Sequence, residues 1–192
     1  YGYSVQQTND GGYIITGLNG KSDGDVYLIK TDAQGTGEWE KTFGGNKTEY
    51  GYSVQQTTDS GYIIAGYTDD GNGNQDVYLI KTSSQGTLQW EKTFGGAYNQ
   101  YGRSVQQTND GGYIVVGHTE PNGLSHYQVY IVKTNAQGTE EWSQTIKGNG
   151  VYEAYSIQQT NDGGYIITGK TSINNDDVLL IKTDSQGNTV TK

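Results

Sequence analysis

Along the 192-residue chain, short apolar runs alternate with short polar turns, and no stretch shows helical periodicity with caps. In the opening stretch this pattern predicts four strands, over 3–8, 13–17, 26–31 and 38–43. Asn9-Asp10-Gly11-Gly12 and Asp32-Ala33-Gln34-Gly35 fall between them and are turn sequences, because Asn, Asp and Gly tolerate positive φ. The second and third strands are apolar at consecutive positions, Tyr13-Ile14-Ile15 and Val26-Tyr27-Leu28-Ile29. Strict alternation would mark a sheet with one wet face, whereas continuous runs mark a sheet covered on both faces. The first strand ends in Gln6-Gln7-Thr8 and is polar. It is expected to be the innermost strand beside a wet channel, with its glutamines satisfying one another or channel water.

The pattern is repeated. Ser4-Val5-Gln6-Gln7-Thr8 recurs at Ser53, at Ser104 and, as Ser-Ile-Gln-Gln-Thr, at Ser156. Each copy is followed by a Gly-Tyr-Ile strand, a Lys-Thr strand and, in three copies, a strand bearing Trp39, Trp90 or Trp142. A repeat of about 50 residues whose sheets are covered on both faces predicts an all-β fold. The expected form is a β-propeller of four repeats, each a four-stranded antiparallel blade. The predicted blades span 1–49, 50–100, 101–152 and 153–192 of one domain, and a sandwich or solenoid is the alternative. The tryptophans are expected to lock adjacent blades. In the last repeat Thr191 stands in the tryptophan register, so that blade reads as truncated. Three assemblies follow: a monomeric closed ring of four blades, an arc of a larger ring, or a homodimer closing a larger ring.

The units resemble the tandem blades of secreted bacterial and archaeal β-propeller proteins. The likeness lies in S-V-Q-Q-T-x-D-G-G-Y-I-I-x-G, D-V-Y-L-I-K-T-D and the tryptophan-bearing fourth strand. It extends over essentially the whole chain. It implies blade architecture and an extracellular or cell-surface setting, and it leaves activity open, because this fold hosts binders and enzymes alike.

Composition narrows the chemistry. The net charge of −9, with 12 scattered basic residues, argues against nucleic acid as a partner. Cysteine is absent, which excludes disulfides and thiolate metal sites. No apolar run approaches the roughly 18 residues of a membrane-spanning helix. The chain lacks methionine and begins in phase with a repeat, as an excised or processed segment would. Its 17 tyrosines supply core material that the modest aliphatic content does not. Of these, Tyr13, Tyr62, Tyr113 and Tyr165 hold equivalent strand positions and read as core.

Candidate function lies in the loops. The turns after the first and third strands are nearly identical among the repeats. The loops at the opposite end vary, with 8, 10, 11 and 8 residues between the second-strand glycine and the third-strand valine. Variable loops on a rigid scaffold are where specificity is grafted. Tyr67, Tyr98 and Tyr127 lie there as candidate stacking groups for a sugar or a protein ligand. His118 and His126, with Glu120 between them, are imaginable zinc or copper ligands. His118 replaces Leu18, Tyr67 and Lys170 of the other repeats, however, and reads as an exposed loop residue. Asp70, Asn72, Asn74 and Asp76 alternate as in a calcium loop. Tyr78 and Lys81 stand where closing ligands belong, so the segment reads as a hairpin loop and no cofactor is expected. No triad and no spaced carboxylate pair is evident. The chain is therefore expected to be a non-enzymatic binding or scaffold module with a protein or glycan ligand. A propeller lectin is the first alternative, and a domain of a larger secreted enzyme the second.

Overall fold

The computed structural model describes residues 1–192 apart from 21–23, 70, 72, 122–125, 149, 173–174 and 191–192. The described residues form fifteen strands in four antiparallel sheets of four, four, four and three strands. The first sheet holds β1 (Gly2–Gln7), β2 (Tyr13–Leu18), β3 (Val26–Thr31) and β4 (Gly37–Phe43). The second holds β5 (Glu49–Gln56), β6 (Tyr62–Asp69), β7 (Gln75–Thr82) and β8 (Leu88–Phe94). The third holds β9 (Asn99–Gln107), β10 (Tyr113–Glu120), β11 (Gln128–Thr134) and β12 (Glu140–Ile146). The fourth holds β13 (Val151–Gln159), β14 (Tyr165–Ser172) and β15 (Asp176–Thr183). Strands pair in chain order, and the strands expected in the first repeat match those observed to within one residue at each end.

Each turn after a first strand is held by one aspartate. Asp110 accepts hydrogen bonds from the Thr108 hydroxyl and the Gly112 N–H, and its other oxygen pairs with Lys133 at 2.9 Å. The buried Lys133 ammonium also donates to the Thr134 carbonyl and to Glu141. The sequence pattern Thr-x-Asp-x-Gly…Lys-Thr thus closes one end of every sheet. A Cβ at Gly112 would overlap the Thr134 carbonyl, so glycine is required there.

The sheets stack face to face, with β5 against β1 and β2, β9 against β5 to β7, and β13 against β9 to β11. Three apolar cores fill the junctions. The first joins Ile14, Val26 and Leu28 to Val54, Tyr62, Ile64 and Ile80. The second joins Ile63, Val77 and Leu79 to Val105, Tyr113 and Val132. The third joins Ile114, Val129 and Ile131 to Ile157, Tyr165 and Ile167. Each tryptophan crosses a junction as expected: Trp39 meets Tyr62 at 5.9 Å, Trp90 meets Tyr113 at 5.7 Å and Trp142 meets Tyr165 at 6.0 Å between ring centroids.

The glutamine pairs do not satisfy one another. Gln6 Oε1 accepts from the Gln56 N–H and Gln56 Oε1 accepts from the Asn9 N–H, so each junction is clasped in both directions through backbone amides. Gln55 with Gln107, and Gln106 with Gln159, repeat the arrangement.

The stack is open. Val5 on β1 is 65% exposed, and Val178 and Leu180 on β15 are 74% and 69% exposed, so the outer faces of the first and last sheets do not cover each other. A ring closed by the four sheets alone, one of the three expected assemblies, is therefore not formed among the described residues. The direction in which each sheet turns relative to the last depends on packing that strand patterns do not encode.

Candidate binding site on the bulged first strands

One irregularity recurs in every sheet. The first strand carries one extra residue between Gly2 and Ser4, Gly51 and Ser53, Gly102 and Ser104, and Ala154 and Ser156. The residues pushed out of the ladder are Tyr3, Tyr52, Arg103 and Tyr155. A bulge of this kind re-aims a side chain, and it is a device common beside functional sites. All four bulges lie at the variable-loop end of their sheets.

The re-aimed side chains meet across the junctions. Tyr3 lies 4.9 Å from Tyr52 between ring centroids, and the Arg103 guanidinium sits 4.3 Å above the Tyr52 ring. Behind this row stands a second layer. Tyr67 stacks on Tyr50 at 4.7 Å and meets Tyr101 edge-on at 5.0 Å. His118 packs between Tyr101 at 4.8 Å and Tyr127 at 5.0 Å. Tyr155 donates to Glu153 at 2.7 Å, and Tyr101 donates to Gln75 at 2.9 Å. The ends of the front row are open to solvent, Tyr3 being 41% and Tyr155 46% exposed, whereas Tyr52 and Arg103 between them are half-buried.

The electrostatics follow from this layering. Burial, and after it the neighbouring Tyr52 and Tyr50, hold the Tyr67 phenol well above the usual tyrosine range. Burial and the Glu153 carboxylate push Tyr155 up to about 12. The Tyr67 and Tyr155 phenols are therefore neutral at ordinary pH. Burial, with the Arg103 charge adding to it, lowers His118 to about 3, so this imidazole stays neutral. The Nε of Arg103 and the Nδ1 of His118 are buried without a hydrogen-bond partner. A buried donor left unpaired is costly, and a polar ligand that reaches it gains accordingly.

Of the residues expected to bind, Tyr67, His118 and Tyr127 share this cluster. His118 is buried, not an exposed loop residue, because its position near the end of β10 turns it into the aromatic layer. His126 is exposed beside Tyr127. Tyr98 is 39% exposed in the loop before β9 and belongs to no ring contact of the cluster. Of the calcium-like set, Asp70 and Asn72 lie outside the described residues, whereas Asn74 and Asp76 are half-buried around the start of β7. Among the described residues no three His, Cys, Asp or Glu side chains gather as a metal site would require. Arg103, Tyr3, Tyr52 and Tyr155 escape a sequence search for loop residues because they lie within strands. Their signal is the slot before the repeated serine, Tyr-Gly-x-Ser in three copies and Glu153-Ala154-Tyr155-Ser156 in the fourth.

No protein-family model matches the sequence, and no curated protein matches it. Solved structures share the fold. A protein of unknown function from Dyadobacter fermentans superposes with a TM-score of 0.64 at 10% identity, over 95% of this chain and 60% of that one. The endo-arabinase of Bacteroides thetaiotaomicron superposes with a TM-score of 0.58 at 11% identity, over 98% of this chain and 80% of that one. This finding corrects the expectation of a non-enzymatic chain: a solved structure of similar fold is that of an enzyme, so a scarcity of recognisable motifs is no ground for setting catalysis aside.

Proposed function

We propose that the four sheets are blades of a propeller-type array forming one domain, and that the bulged row Tyr3, Tyr52, Arg103 and Tyr155 recognises saccharides. The recurrence of the bulge in all four sheets carries this reading, because it sets an aromatic and cationic surface at one end of the stack. A sugar ring presents a face of C–H groups and a rim of hydroxyls. Tyrosine faces take the first, and phenol, guanidinium and carboxylate groups take the second. The extracellular or cell-surface setting implied by the repeats agrees with such a ligand.

A second reading, glycosidic hydrolysis, is favoured by the likeness to an endo-arabinase, which guides the choice of probe and no more. Its candidate carboxylates are Glu120 and Glu153 at the same end of the sheets. Hydrolysis requires two carboxyl groups flanking the bond, one to donate a proton and one to act as base or nucleophile.

Titration calorimetry with arabino-, xylo- and gluco-oligosaccharides tests the reading, with reducing-end release assayed in the same samples. Binding to at least one series is expected, and Tyr52→Ala and Arg103→Ala should each weaken it by about tenfold or more. Absence of binding to every series at millimolar sugar overturns it. Reducing ends released by the unmodified chain and lost in Glu153→Gln establish the hydrolytic reading.

A further inference from the structure

The two open faces of the stack are the two halves of the junction that the chain forms three times within itself. At each internal junction the earlier sheet offers the face carrying Ile14, Val26 and Leu28 or their equivalents. In the fourth sheet that face carries Ile166, Val178 and Leu180, the last two among the most exposed apolar side chains of the molecule. The later sheet at each junction offers the face carrying Val54, Tyr62 and Ile64 or their equivalents. In the first sheet that face carries Val5, Tyr13 and Ile15. A concavity of about 650 Å³ opens on it, lined in part by Gly2, Ile15, Gly17, Tyr27 and Ile29.

The hydrogen-bonding groups at the ends are set in the same way. In Gln56 the side-chain amide donates to its own turn at Ser60 while its oxygen reaches back to Asn9 of the previous sheet. Gln7 makes the same bond to its own turn, at Gly11, which leaves its oxygen on the side where Gln56 reaches Asn9 of the previous sheet; no described sheet lies on that side of the first. The fourth sheet holds the counterparts: the Asn161 N–H, equivalent to that of Asn9, and Gln158, equivalent to Gln6. Large exposed apolar areas mark association sites, and a surface complementary to another patch of the same molecule makes heterologous contacts, which close into a ring where the rotation between copies allows and extend into a filament where it does not.

We propose that the chain associates head to tail, the outer face of its first sheet docking on the outer face of the fourth sheet of a second copy. Two such contacts close a ring of two copies. The new junction repeats the apolar and glutamine contacts of the internal one without its tryptophan, which the three-stranded fourth sheet does not carry: Val5 and Ile15 fill the place of Val54 and Ile64, Val178 and Leu180 that of Val26 and Leu28. Gln158 accepts from the Gln7 N–H, and Gln7 accepts from the Asn161 N–H. The inference rests on the blade arrangement and not on the saccharide reading, whose calorimetric test is a separate measurement.

Sedimentation velocity and native mass spectrometry of the 192-residue chain, from micromolar to submillimolar concentration, provide the test. A species of twice the 20.9 kDa chain mass is expected. Val5→Asp and Leu180→Asp each place a carboxylate in the junction and should weaken association by about 100-fold or more. Both side chains are exposed in a single copy, so circular dichroism should be unchanged. Mixing the two variants should restore a two-chain species, because each keeps the half-junction that the other lacks. A monomer at every concentration, an open ladder of longer assemblies, or a dimer that survives either substitution alone would overturn the proposal.

Discussion

Tyr62-Ile63-Ile64 in the second sheet and Tyr13-Ile14-Ile15 in the first are the same three residues at the same place in a β-sheet, yet their surroundings differ. In β6 all three are buried; in β2 only Ile14 is, with Tyr13 and Ile15 half-buried. The third strands show the same contrast, Val77–Ile80 being buried throughout whereas Val26–Ile29 alternate. The continuous apolar run therefore encodes a neighbour on each side of the sheet, and an end sheet satisfies only half of what it encodes. The inner sheets show the junction formed, and the outer ones show its two halves waiting.

Paired substitutions measure that difference. The largest expected effect is at the core. Ile64→Ala opens a cavity between two sheets and should cost about 3 kcal/mol in chemical denaturation, while Ile15→Ala in dilute solution should cost about 1 kcal/mol. Equal costs at low concentration would break the comparison. A cost for Ile15→Ala that grows with protein concentration would sharpen it, by showing that a second copy covers the first sheet.

An intermediate effect is expected where two internal junctions differ by one atom type. Glu49 is buried, with Oε1 accepting from Thr68, and Gln100 takes its place at the next junction. Burial raises the Glu49 pKa above the ordinary glutamate value, with nearby Asp25 adding to the shift. A carboxyl whose folded-state pKa is raised favours folding while it is protonated, and that contribution is lost as pH rises through and above the ordinary glutamate range. Glu49→Gln should therefore stabilise the fold at neutral pH by roughly 1–2 kcal/mol. The gain should shrink as pH falls toward 4, and thermal unfolding across that range checks it.

The smallest effect concerns the clasps. Gln106→Ala removes the acceptor for the Gln159 N–H and should cost about 1 kcal/mol. Gln158→Ala, at the equivalent position of the last sheet, should cost close to nothing in the monomer. Urea titration of the two variants side by side reads the contrast directly.

Strand positions, turns and the tryptophan contacts were legible in the sequence because each depends on neighbours near in the chain or on a repeated pattern. The glutamine clasps were not. Sequence displays their donors and acceptors but not that an amide oxygen finds a backbone N–H about fifty residues away. The sequence left closure open among three assemblies for a related reason: a ring needs a particular rotation from sheet to sheet, and no residue pattern states an angle. The variable-loop end was legible as the place to look, and Tyr67, His118 and Tyr127 do stand together there. Arg103 was missed because a bulge, invisible as a spacing, turns a strand residue out of its ladder.

The clasps have one more consequence. They grip main-chain amides and read no side chain across the junction, so the clasp by itself would hold whichever unit follows, and the choice of neighbour is left to the apolar and aromatic side chains that fill the seam. A duplicated, deleted or reordered module would therefore need to match its neighbour only in those packed side chains. Its length is then a quantity that recombination can adjust in steps of one module.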